Sequence, residues 1–156
     1  MKRNFTFLMA AFALMVSMMM SLGMKGQIYS RVSSVSDLAD GDQIIFVDQD
    51  ETYACGTTQN TNNRTPVAIT VSNHTYSYRA SDNVQVFTVK VYSSGKYGFH
   101  TGSGYIYSAS SSNNYLKTNT TPATTAPSGT SAWSLSASSS AFSCTNETNT
   151  SVLPCF

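Results

Sequence analysis

The sequence predicts an all-β fold, either a β-trefoil or a small antiparallel barrel of short strands. Three observations predict it. Apolar residues recur at every second position through most of the chain, turn-forming clusters interrupt them about every eight to twelve residues, and nothing after Leu22 shows the i, i+3, i+4 spacing of an amphipathic helix. Charged residues make up only 11% of the chain, so Ser, Thr and Asn fill the polar positions, as suits sheet surfaces and turns.

Met1 to Gly26 has the layout of a secretory signal. Lys2 and Arg3 form a basic start, Phe5 to Leu22 is apolar, and Gly23 and Gly26 supply small residues for cleavage after Gly23 or before Gln27. The competing reading is an uncleaved anchor, since this run approaches the roughly 20 residues that span a bilayer. Its length and the single basic residue beyond it, Lys25, favour cleavage. No cysteine follows the run to carry a lipid. Export predicts one domain, residues 27–156, secreted or displayed at the cell surface and without further membrane contact. It also removes Lys2, Arg3 and Lys25 from the nine basic residues, leaving six against eight acids, a net −2. That balance argues against nucleic acid as a partner, because neutralising phosphates needs a basic field.

Cys55, Cys144 and Cys155 are an odd number for an oxidising compartment, which allows one intramolecular disulfide at most. Cys144 with Cys155 closes the shorter loop and is the expected pair; two unpaired thiols are the alternative. There is no C-x-x-C, and His74 and His100 stand alone, so no metal or other cofactor is expected.

In chain order, Ile28 to Val35 reads as a polar lead-in, and Gly41 between Asp40 and Asp42 marks a tight turn. Gln43 to Val47 is a continuous apolar strand expected to be buried on both sides, with Thr52 to Cys55 as its hairpin partner. The acidic turn between them, Asp48-Gln49-Asp50-Glu51, offers carboxylates to calcium. It lacks the glycine and distal glutamate of a twelve-residue calcium loop, and a solvated tip is the stronger reading. Gly56 to Pro66 reads as a polar loop, ending where Pro66 pushes Thr65 out of helical geometry. Val67, Ile69 and Val71 then alternate, Ser72-Asn73-His74 turns the chain, and Tyr76 and Tyr78 alternate again.

Val84 to Lys117 is the centre of the chain, a compact β-meander. Val84 and Val86 keep one parity, whereas Phe87, Val89 and Val91 keep the other, and such a slip is what a β-bulge leaves in a sequence. Gly95 serves one turn and Thr101-Gly102-Ser103-Gly104 the next, between Tyr97 and Phe99 on one strand and Tyr105-Ile106-Tyr107 on another. Thr118 to Ser131 has no apolar period and reads as a long loop or linker. Trp133 and Leu135 alternate, Ala141-Phe142 begins a further strand, and Ser143 to Phe156 shows no period.

The ordered set SDLADGDQIIFV, TQNTNNRTPVAITVSNHT, VFTVK, KYGFHTGSGYIYSASSSNNYLKT and SAWSLS, from about Val32 to Ser136, resembles a β-rich repeat module of secreted and surface proteins of Bacteroidetes and some gut Firmicutes. Its recurring Tyr, Gly and Asn-x-Leu positions are also similar to ricin-type β-trefoil lectin repeats. The ricin pattern places Gln two residues before its Trp, whereas Ser131 stands two before Trp133, so no sugar site carries over. The module's closing Tyr- and Arg-containing strand pair is replaced here by TNETNTSVLPCF, which predicts a truncated or altered end and an open sheet edge.

No nucleophile, base and orienting carboxylate can be nominated. There is no G-x-S-x-G, and His100 and His74 read as strand-end and hairpin-tip residues, so no enzyme activity is expected. The aromatic set Tyr97, Phe99, Tyr105, Tyr107 and Tyr115 has two readings. Inward-facing, Tyr105 and Tyr107 are core, the favoured reading; outward-facing, they stack sugars, with Tyr115, Asn113 and Asn114 beside them. Five Asn-x-Ser/Thr matches beyond the signal segment, at Asn63, Asn73, Asn119, Asn146 and Asn149, would mean a glycoprotein in a eukaryote; in a bacterium they follow from composition alone. The function expected is a non-catalytic extracellular module binding a glycan or another surface polymer. The alternative is a structural spacer or interaction domain without a small ligand.

Overall fold

The computed structural model describes residues 26–92, 95–110, 113, 115–119, 131–137 and 142–146. Among them the fold is all-β: eleven short strands, every pairing antiparallel, and helical structure confined to 3-10 turns at Val35–Asp37, Ala80–Asp82 and Ser131.

The central meander forms as its alternation requires. Strand β6 (Phe87–Val91) pairs with β7 (Tyr97–His100) from Thr88↔His100 to Val91↔Tyr97. The turn into β7 closes with the Gly95 N–H donating to the Tyr92 carbonyl, with Gly95 at φ +71°. Thr101 to Gly104 then reverses the chain into β8 (Tyr105–Ser108), which pairs along its whole length with β9 (Leu116–Asn119). The outer edge of β7 is divided: Tyr97 takes Trp133 of β10 (Trp133–Ala137) and His100 takes Tyr105 of β8. A hairpin joins β10 to β11 (Phe142–Asn146), and β2 (Gln43–Ile44) borders β6 on the other side.

Period-two burial gathers Cys55, Phe87, Val89, Phe99, Ile106, Leu116, Trp133 and Cys144 into the main core, with the Phe46 ring centroid 4.9 Å from those of both Phe87, tilted, and Phe99, edge-on. Each large apolar side chain fully buried here contributes about 1.5–3 kcal/mol. Ala54, Tyr76 and Val84 seed a second, smaller cluster. The segment from Ile44 to Val47 lies between the two: Ile44 and Phe46 pack on the main core, Ile45 and Val47 on the smaller one. Its unbroken apolar run serves two cores rather than a long strand, and only Gln43–Ile44 joins the ladder. The expected hairpin across the acidic turn is present as the Val47↔Ala54 bridge. The parity slip before Phe87 also has a cause. Val84 bridges Gly56 and the Gln85 N–H donates to the Cys55 carbonyl, whereas Phe87 pairs with Ile44, so the chain changes partner in between.

Four expectations need correction. Among the described residues the sheets do not close into a barrel: the large sheet ends at β2, β9 and β11, and β1 (Gln27–Ser30) with β5 (Thr75–Tyr78) and β3 (Tyr53–Gln59) with β4 (Arg64–Ala68) form separate pairs. The division of the β7 edge between two hairpins makes the large sheet branch there. Gly56 to Pro66 is not a loop, since β3 runs to Gln59 and β4 begins at Arg64; its Thr and Gln side chains lie exposed, so no apolar alternation announced it. The lead-in at Ile28 is β1, in which Tyr29 packs inward opposite Tyr76. The aperiodic stretch after Ser143 contains most of β11, where Asn146 occupies a buried position and donates from Nδ2 to the Ala132 carbonyl, 3.3 Å. The expected signal segment up to Lys25, Asn114 and Cys155, with the altered chain end, lie outside the described residues.

The Asp-rich start docks on the meander. Asp37 accepts the Ser34 N–H, Gly41 turns at φ +91°, and the Asp42 Oδ2 accepts the Ala39 N–H. Asp40 accepts from the Val91 N–H at 2.8 Å and from Lys90 Nζ at 2.7 Å. These two bonds, that from Lys90 first, hold the Asp40 carboxyl below its ordinary range.

Candidate ligand-binding face

Partners in an antiparallel ladder project to the same side of the sheet. The pairings Gln43↔Thr88, Thr88↔His100, His100↔Tyr105 and Tyr105↔Asn119 therefore set five side chains in one row across β2, β6, β7, β8 and β9. Ile106 and Ser108 are buried, so Tyr105 and Tyr107 project outward, each half-buried. The core reading of these two tyrosines is overturned: Ile106 occupies the inward place between them. Tyr97, by contrast, does pack against the main core, and Phe99 lies within it.

Tyr107 stands opposite Lys117. The ladder continues one step further, where the Ala109 N–H donates to the Tyr115 carbonyl, 2.9 Å, which sets Tyr115 on the Tyr107 side while Leu116 is buried. Asn113 is exposed at the turn, where its N–H and its Nδ2 both donate to Ser110 Oγ, at 3.0 and 3.3 Å. Of the predicted site residues, Tyr105, Tyr107 and Tyr115 thus share a face with Asn113 at its end.

Residues the sequence did not nominate complete this surface. His100 meets Tyr105 edge-to-face, ring centroids 5.0 Å apart, and its Nδ1 accepts the Gly102 N–H at 3.1 Å, which leaves the proton on Nε2. Burial, together with a hydrogen bond to Tyr105, pushes the Tyr92 hydroxyl well above its usual range. His100 and Tyr105 flank a four-residue turn, so their approach was implicit in the hairpin; the joining of Tyr92 to Tyr105 spans two turns and left no signal.

Beneath the sheet, Arg64 is 5% exposed and makes no salt bridge among the described residues. Its Nε donates to the Gly56 carbonyl (2.9 Å), Nη1 to Thr118 Oγ1 (2.6 Å), and Nη2 to the Thr57 carbonyl (2.9 Å) and Gln85 Oε1 (2.7 Å). Gln85 Nε2 in turn donates to the carbonyls of Val86 and Thr101. This clip ties β3 to β9, and so fixes the hairpin that carries the outer face. Burial pushes the Cys55 thiol up to about 11 despite the nearby Arg64 charge, and burial raises Cys144 further, so both are held as protonated thiols.

No protein family, curated protein or solved structure matches the chain. At the acidic turn, partial burial raises the Asp48 carboxyl, but hydrogen bonds from Tyr53 and Thr52 outweigh this and hold it low. Those bonds close the hairpin. Glu51 faces away to His74 Nδ1, 2.7 Å, and among the described residues no three His, Cys, Asp or Glu converge as metal ligands.

Proposed function

We propose that the protein is a secreted or surface-exposed, non-catalytic β-module that binds a glycan or another surface polymer through the outer face of β7, β8 and β9. The observation that carries this reading is the outward, half-exposed placement of Tyr105 and Tyr107 on a sheet backed by buried Ile106 and Leu116. A rigid pair of aromatic faces meets the C–H faces of sugar rings, while the Asn119 amide and the His100 Nε2–H suit hydroxyl groups. Export is supported by the basic start and apolar run of the first residues. A trefoil-like arrangement is the finer architecture proposed, supported by the prevalence of pairings between sequence-adjacent strands. A non-catalytic role is supported by the engagement of both histidine Nδ1 atoms, with Gly102 and Glu51, and by the two buried, protonated thiols.

A glycan array probed with the folded protein and with its Tyr105→Ala/Tyr107→Ala variant tests the reading. Binding that the double substitution removes supports it. A folded protein that binds no glycan leaves the spacer or interaction-domain role.

A further inference from the structure

Charge is unevenly distributed along the chain. Residues 27–83 hold seven carboxylates, Asp37, Asp40, Asp42, Asp48, Asp50, Glu51 and Asp82, against three arginines. From Val84 to Asn146 there is no Asp or Glu at all, while Lys90, Lys96, Lys117 and His100 fall there. The net charge is therefore −4 over the first stretch and +3 over the second, with histidine neutral. The second stretch builds β6 to β11, and its outer face is the one that bears the tyrosines.

The carboxylate that reaches this face is already engaged. Asp40 is held by Lys90 and by the Val91 N–H. Lys117 forms no ion pair among the described residues, and it stands directly across the ladder from Tyr107. Cross-strand neighbours of this kind have Cβ atoms about 5 Å apart, close to the width of one sugar ring. An acid group on a pyranose stacked against Tyr107 falls within reach of the ammonium.

We propose that the ligand of this face is an acidic polysaccharide, its sugars carrying carboxylate or sulfate groups, with Lys117 and the His100 Nε2–H meeting the anions while Tyr105 and Tyr107 take the rings. The inference rests on the glycan-binding reading above and narrows its substrate class. Nucleic acid is disfavoured, because three lysines on a molecule with acids elsewhere give too weak a basic field for a phosphate backbone.

The test is binding of the full chain to polygalacturonate and its fully methyl-esterified form, to dextran sulfate and dextran, and to a single-stranded oligothymidylate. The expected result is binding of the acidic polymers at least ten-fold tighter than of their uncharged counterparts, weakened about ten-fold between about 20 and about 300 mM NaCl. Lys117→Glu should lose ten-fold or more at unchanged circular dichroism, and Lys117→Gln less. The stronger of the two acidic polymers identifies carboxylate or sulfate as the anion. Equal binding of uncharged polymers, lost in Tyr105→Ala/Tyr107→Ala, overturns the acidic class and keeps the glycan reading. Absence of binding to every polymer overturns both. Oligothymidylate binding as tight as that of the acidic polymers, and indifferent to the tyrosine substitutions, reduces the face to a general anion attractor and also overturns the proposal.

Discussion

Arg64 holds a full charge where almost no water reaches it, and its bonds to the Gly56 and Thr57 carbonyls, Thr118 and Gln85 are what make that tolerable. Arg64→Ala strips four acceptors of their donor, two of them in buried bonds, and is expected to destabilise the fold by about 3 kcal/mol, measured by urea unfolding. Arg64→Lys should recover only part of this, because one ammonium cannot span acceptors arranged around a planar fork. Equal stability of Arg64→Ala and the parent would refute the clip. The Tyr29 hydroxyl is the opposite case, buried without a hydrogen-bond partner among the described residues. Tyr29→Phe removes that deficit and should raise stability by about 1 kcal/mol; a lower melting temperature would count against it. Neither feature was legible in the sequence. Arg64 follows a run of Asn and Thr that predicts a solvated loop, and nothing in its spacing shows that the guanidinium points beneath β9.

At the scale of elements, the β8–β9 hairpin carries the proposed binding face and depends on how closely its two strands meet. A Cβ on Gly104 would lie 1.6 Å from the Asn119 carbonyl oxygen, a backbone atom that cannot swing aside. Gly104→Ala is therefore expected to cost several times more than Gly102→Ala, about 1 kcal/mol, where φ is +97° but the space is open. Thermal melts of the two variants, run together, decide this. The meander was readable because its strands keep an inner apolar parity and its first two turns, at Gly95 and Gly102, place a glycine at positive φ. Tyr105 and Tyr107 were not placed correctly, since an aromatic-aliphatic-aromatic triplet fits either facing. The choice fell to Ile106, whose position is fixed by β7 and β9 and not by its own neighbours in sequence. Strand β1 was missed, and β3 beyond Cys55 and β11 beyond Phe142 went unread, because each turns few apolar residues inward: Tyr29 alone in β1 while Ile28 lies exposed, and Cys144 beside the hydrogen-bonded Asn146 in β11.

At the scale of the whole molecule, stability is expected to fall on the alkaline side. Burial raises Cys55 from an ordinary 9.0 to about 11, so the folded state keeps a proton that the unfolded chain releases. Its contribution is complete below pH 9.0 and is lost as pH rises through about 11. Burial, reinforced by Asp82, raises Tyr76 in the same direction and extends the loss. The urea midpoint should thus be level from about pH 6 to 8 and drop above pH 9.0, less steeply in Cys55→Ala. A midpoint unchanged at pH 10.5 would contradict the burial of these groups. The all-β class was legible at this scale, from alternation and the lack of helical spacing. The division into one large sheet and two separate pairs was not, because it depends on pairings between strands distant in sequence. Ile44 to Val47 shows how tightly such distant parts are coupled. This short partition has its odd and even side chains committed to different neighbours, so inserting one residue after Ile44 would deliver the Phe46 ring to the wrong compartment and leave a void between Phe87 and Phe99. Added length is therefore expected to be tolerated in the turns, whereas this wall must keep its count.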